Sequence, residues 1–204
     1  MFQNIHFVEQ SNFITDLILS VILFILSALL NKSTEKTSYQ QAWRQYFTLM
    51  GCATLVGGFG HLLSFHAGTS ILLVSWLLVI WTTYFLEKNM VRLIYNNAIF
   101  DVILLTKAII FSGWLLYVQT FLPVTISLII GMAGIVCSVL YFQYVKTTEV
   151  ANIIIISAIL SSSLAGMVRA MHIDLASWFN ANDLAHVISA CSFWGLYIGV
   201  KRMA

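Results

Sequence analysis

The chain has 204 residues, of which 60% are hydrophobic and 9% charged, with a formal net charge of +2. So few charges cannot cover a water-soluble fold of this size, so lipid must solvate much of the surface. The small positive excess excludes nucleic acid as an expected partner, because the position of the charges outweighs their sum.

A spanning helix needs about 20 mostly apolar residues, and the chain offers seven such runs. They lie roughly at 13–31, 45–65, 70–87, 98–118, 123–145, 150–170 and 183–200. Short polar separators divide them, and one proline with eleven glycines leaves no room for a linker or a second domain. The expected architecture is therefore all-α: one polytopic membrane helix bundle over residues 1–204, built of seven transmembrane helices. The runs show none of the strand-like alternation of an outer-membrane barrel. Asp101 and Lys107 inside the fourth run make its limits the least defined. The N-terminus does not read as a cleaved signal peptide, since Met1 to Asn12 carry no Lys or Arg.

Orientation follows from the basic residues. Lys32, Lys36, Arg44, Lys88, Arg92, Lys146, Lys201 and Arg202 fall on one side of a seven-span chain. Only Arg169 falls on the other, and Lys107 lies within a span. By the positive-inside rule the N-terminus is outside and the C-terminus cytoplasmic, in a cell membrane such as a bacterial inner membrane or a plasma membrane. Cys52, Cys137 and Cys191 sit within apolar runs and are expected to be buried small hydrophobes. The serines at 157, 161, 162 and 163 are expected to pack closely. Arg169 and Glu87 read as interfacial anchors, and most tryptophans as lipid-facing or interfacial.

This orientation sends all five histidines to the outer face. Asp16, Arg169, Asp174, Asn182 and Asp183 join them there. His61 and His186 lie within apolar runs, where an ionisable group is costly and marks either a site or interhelical hydrogen-bond glue. Gly57, His61 and Ser64 share one helix face, and the glycines around them admit a neighbouring helix. Asn182 and Asp183 lie one turn outward of His186, where a carboxylate can fix the imidazole tautomer or act as a ligand itself.

These motifs resemble the superfamily of alkaline ceramidases and progestin/adiponectin-type receptors, seven-helix membrane zinc amide hydrolases. In that superfamily a Ser-x-x-x-His motif in the second helix and a His-x-x-x-His motif in the seventh supply the zinc ligands. Here His61 matches the second-helix histidine, with Gly57 at the serine position. His186 matches the second histidine of the seventh-helix motif, with Asn182 at the first. The resemblance implies zinc as cofactor, and hydroxide attack on the carbonyl of a lipid amide or ester. The candidate metal ligands are His61 and His186, with a third to come from His66, His172, Asp16 or Asp183. The candidate catalytic side chains are Asp183 and Ser64. Two other classes stand beside this one. One is a non-catalytic lipid-binding, receptor-like or complex-subunit protein; the other is a haem carrier ligated by two imidazoles.

Overall fold

A computed structural model describes residues 2–31, 37–64, 68–176 and 178–203, without the side chains of residues 2–9 and 170. Seven helical rods account for most of it, and the described residues contain no strand beyond one isolated bridge between Ala176 and Phe179. We number them α1 (Phe2–Asn31), α2 (Ser38–Leu62), α3 (Ser70–Arg92), α4 (Ala98–Val118), α5 (Leu122–Thr147), α6 (Val150–Ala170) and α7 (Ala181–Arg202). Helix α5 is not uniform: its middle, Ile129–Val136, is wound as a π-helix.

Six of the seven are long and apolar enough to cross a membrane. The exception is α2, which opens on Gln40, Gln41, Arg44 and Gln45 and carries four glycines. Its place in the bundle explains this. It packs against α1, α3 and α7, so neighbouring helices cover much of its surface and it needs less apolar side chain. Trp43 and Phe47 on this helix are fully buried.

The bundle closes in the order α1, α2, α3, α5, α6, α7 and back to α1, while α4 packs outside on α3 and α5. Accordingly only Leu104, Ala108 and Leu115 of α4 are buried, and Ile99, Val102, Ile103, Ile109 and Ile110 face outward. Helix α1 divides the same way. Ile14, Ile18, Val21 and Ile25 form an exposed apolar stripe, whereas Asp16, Leu19, Ser20, Leu23, Leu26 and Ser27 turn inward. The polar residues keep to the inner face and the outer face is aliphatic, as lipid solvent requires.

Between helices in lipid, close packing and hydrogen bonds replace the hydrophobic effect. Ser20 donates to the Gly51 carbonyl at 2.8 Å and Ser75 to the Ala53 carbonyl at 2.8 Å, joining α1 and α3 to α2. Gly195 and Gly199, four apart on α7, let α6 approach. A Cβ at Gly199 would lie 2.4 Å from Ile155 Cγ1, and one at Gly195 would lie 3.1 Å from the Ala158 Cβ. The serines of α6 do not do this packing: Ser157, Ser161 and Ser163 are exposed. Ser161 turns its hydroxyl back to the Ser157 carbonyl, and Ser162 to that of Ile159. Of the cysteines only Cys137 is buried; Cys52 and Cys191 are exposed on their helices.

The charged residues within α3 and α4 are explained by pairing between the helices. Arg92 binds Asp101 through two nitrogens at the helix ends, and Lys107 binds Glu87 deeper in the bundle. Glu87 is thus no interfacial anchor but a fully buried carboxylate. One of its oxygens lies against Gly131 of the π-helical segment, where any Cβ would collide with it.

Contacts between helix ends sort them into two groups. Gln40 of α2 donates to the Met203 carbonyl, and Tyr95 beyond α3 stacks on Phe142 of α5. The end they define carries Arg44, Lys88, Arg92, Lys146, Lys201 and Arg202. The opposite end carries Asp16, His61, Arg169 and His186.

Candidate functional site

At that opposite end α1, α2 and α7 converge on one carboxylate. Asp16 stands about four turns into α1, past Gln10 where its apolar span begins, and is buried. Its Oδ1 lies 3.3 Å from His186 Nε2, and its Oδ2 lies 3.9 Å from His61 Nε2. Both imidazoles retain some exposure, 18% for the His61 side chain and 21% for that of His186, so the pair is reachable while the carboxylate is not.

Glycines of α2 permit the convergence. A Cβ at Gly58 would lie 3.1 Å from Asp16 Cβ. One at Gly57 would meet Ser75 Oγ at 2.9 Å and Asp16 Oδ2 at 3.6 Å. A serine hydroxyl at position 57 would therefore compete for the space that Asp16 and Ser75 occupy.

A second carboxylate orients one of the imidazoles. Asn180 caps α7 by accepting the amide protons of Asn182 and Asp183, and Asp183 Oδ2 accepts that of Asn180 in return. This reciprocal box holds Asp183 fully buried. Ser11 donates to its Oδ2 at 2.9 Å and Thr15 to its Oδ1 at 3.0 Å. The Thr15 oxygen also lies 2.9 Å from His186 Nδ1.

The Thr15 hydroxyl also faces the Ser11 and Asn12 carbonyls, at 3.1 and 3.2 Å, and its choice among the three acceptors bears on the tautomer of His186. A hydroxyl has one proton, and a carboxylate is its strongest local acceptor. With that proton on Asp183, Thr15 accepts from His186 Nδ1–H, which leaves the Nε2 lone pair facing Asp16. Two acceptors 3.3 Å apart repel unless a proton or a cation lies between them. Asp183 thus acts on His186 through Thr15, as outer carboxylates act on ligating histidines.

Arg169, at the end of α6, completes the charge balance. Its guanidinium stacks 4.0 Å above the Phe121 ring at the start of α5. From there its charge acts on both Asp16 and His186.

Ser64, His172 and Asp174, the other candidates that the structure describes, bond to backbone groups. Ser64 donates to the His61 carbonyl of its own helix at 2.9 Å. His172 is exposed in the turn after α6, with φ of 50°. Asp174 accepts the Ala181 amide proton at 2.7 Å and so helps start α7. His66 lies outside the described residues, as does the His6 side chain. Among the described residues no three His, Cys, Asp or Glu side chains already form a cage for a metal ion. The distances say why: adjacent ligands of tetrahedral zinc, at bonds of about 2.0–2.1 Å, stand about 3.3 Å apart. Asp16 and His186 meet this spacing, and His61 is wider.

Sequence reasoning missed Thr15, Ser11 and Asn12, because hydroxyl and amide side chains are common at the ends of membrane helices. The Asn180-x-x-Asp183 spacing was the available signal for the α7 cap.

No curated protein and no solved structure matches the chain. A family model matches residues 11–204, a span that takes in every side chain of the cluster, and on that match the chain belongs to a family of unknown function, DUF6962.

Proposed function

We propose that this is a membrane protein of seven spans with its N-terminus outside. In this reading the site of Asp16, His61 and His186 faces outward, holds zinc and hydrolyses a lipid amide or ester. The observation that carries the reading is the Asp16–His186 contact, 3.3 Å between two atoms that both accept when Thr15 takes the Nδ1 proton. A proton satisfies it minimally. Two imidazoles around one carboxylate, with outer hydrogen bonds on one imidazole, suit zinc better.

The count of seven rests on α2. Its 25 residues rise about 37 Å at 1.5 Å per residue, enough for a bilayer core of about 30 Å. The outward direction rests on the basic end, which the positive-inside rule assigns to the cytoplasm. The resemblance to ceramidase-type hydrolases supports the chemistry through His61 and His186. Asp16 would supply the third ligand that Gly57 and Asn182 cannot.

Bound there, zinc would supply an electrophile for a lipid carbonyl and lower the pKa of nearby water. The chain's own residues do the rest. Thr15 and Asp183 hold His186 in one tautomer, and the Phe121 ring holds Arg169. The guanidinium then stands ready for negative charge on a headgroup or a carbonyl oxygen. Ser64 donates its hydroxyl to the His61 carbonyl of its own helix.

The test is metal analysis of detergent-purified protein by mass spectrometry, with an absorption spectrum of the same sample. About one zinc per chain, lost in Asp16→Asn, His61→Ala and His186→Ala, is the expected result, and lipid-amide hydrolysis is then assayed. Metal-free protein that binds none on titration refutes the hydrolase reading. A Soret band would instead move the two imidazoles to haem. With neither, the non-catalytic lipid-binding or subunit role stands. The Ser11–Asp183–Thr15 network favours that role, because it joins α1 to α7 without any ligand.

A further inference from the structure

A groove of about 650 Å³ opens between α1 and α2 at the basic end, with Phe85 of α3 along one side. Its deeper wall is Phe24, Ala28 and Leu49, and its mouth is Asn31 and Arg44. Ser27 and Thr48 do not present free hydroxyls to it, because they hydrogen-bond each other at 2.7 Å and turn to the Arg44 carbonyl.

Arg44 is the unusual member. It stands in the second turn of α2, half-buried, and its guanidinium donates to the side-chain oxygen of Asn31, a neutral amide. Among the described residues no carboxylate pairs with it. Arg92 is answered by Asp101 and Lys107 by Glu87, whereas the described partner of Arg44 at this groove is a neutral amide. The groove runs inward from this charge. Leu49 lies five residues deeper on α2, and Phe24 seven residues deeper on α1. At 1.5 Å per residue this is about 7–10 Å, the depth of the upper part of an acyl chain.

We propose that this groove is a binding site for an anionic phospholipid. Its phosphate is held by Arg44, whose planar fork matches phosphate oxygens. One acyl chain lies against Phe24, Ala28, Leu49 and Phe85. Charge complementarity selects the occupant: the same end carries Lys88, Arg92, Lys146, Lys201 and Arg202, and such clusters attract anionic headgroups. The site lies at the opposite end from Asp16, His61 and His186, so it does not rest on the hydrolase reading.

Native mass spectrometry of the full chain in detergent tests this, with phosphatidylglycerol and phosphatidylcholine of identical acyl chains. One phosphatidylglycerol is expected to stay bound at concentrations where phosphatidylcholine does not. Arg44→Gln is expected to weaken it about tenfold, the loss of one charge-assisted contact. Ala28→Trp fills the groove without touching the charge, and is expected to abolish binding with the helical circular dichroism unchanged. Equal binding of the two lipids overturns the proposal. So does full retention in Arg44→Gln or in Ala28→Trp, or displacement of the lipid by inorganic phosphate at equal concentration.

Discussion

The Glu87–Lys107 pair offers the sharpest test of how this bundle is held. Glu87 is fully buried, and its second oxygen has no hydrogen-bond donor. Lys107 keeps 13% side-chain exposure. Lys107→Met would leave an uncompensated buried carboxylate, at a cost of about 3–5 kcal/mol. Glu87→Gln would leave the ammonium unanswered, although its exposure lets part of it find lipid headgroups or water. For it we expect about 2–3 kcal/mol. Additive behaviour would put the double variant at about 5–8 kcal/mol. Since neither charge then remains buried alone, the expected cost of the double variant is about 1–3 kcal/mol, mainly the orphaned amide of Gln. The assay is reversible unfolding in mixed micelles, with helical circular dichroism as the readout. A double variant as unstable as the sum of the singles would refute the reasoning, and so would a Lys107→Met variant within about 1 kcal/mol of the parent protein.

Other expectations concern the site and the packing. Thr15→Val keeps shape but removes the hydroxyl between Asp183 and His186. We expect stability to fall by about 1–2 kcal/mol on unfolding, and zinc affinity by about 10–100-fold on competition with a chelator. Unchanged zinc affinity would remove Thr15 from the positioning of His186. Gly199→Ile must displace α6, because even a Cβ there meets Ile155. Its expected cost is about 1–3 kcal/mol. Gly113 has nothing within 4 Å of its Cβ position, so Gly113→Ala is expected to be neutral or stabilising by up to about 1 kcal/mol. The check is the unfolding curve of each variant against the parent, and a Gly199→Ile variant as stable as the parent would refute the close approach of α6 to α7.

The helices were legible because lipid imposes a simple rule, long apolar runs with charges between them. The sorting of charges to one end was legible for the same reason, and it brought His61 and His186 together before any coordinates did. Asp16 stood out as a carboxylate within an apolar run. What it touches was not legible, because that depends on how α1 is rotated and slid against α2 and α7. The same register decides that Lys107 reaches Glu87 and that Asp101 reaches Arg92 and Lys88. The serines of α6 misled for a related reason. Small polar residues suit a tight interface, but in this helix the interface falls on Ala151, Ile155 and Ala158 instead. Gly195-x-x-x-Gly199 was a readable signal for that interface. The exposure of Cys52 and Cys191 depends on which helix face meets lipid, which uniformly apolar runs do not reveal.

The two polar systems at the site end differ in what they require. Ser11, Thr15, Asn180 and Asp183 satisfy one another, and together they hold the start of α7 against α1. Glue needs no more than this. Asp16, His61 and His186 add two ionisable rings and a second carboxylate within the same few ångströms, in a chain with only 9% charged residues. With the Nδ1 proton of His186 given to Thr15, Asp16 and the Nε2 of His186 are both acceptors, and their contact then calls for a proton or a cation between them. Aliphatic residues would fill that volume at lower cost in lipid. A packing role therefore explains Asp183 but not Asp16. The discriminating residue is Asp16: if Asp16→Leu raises stability while the chain loses a bound cation, the carboxylate is kept for what it holds, not for the fold.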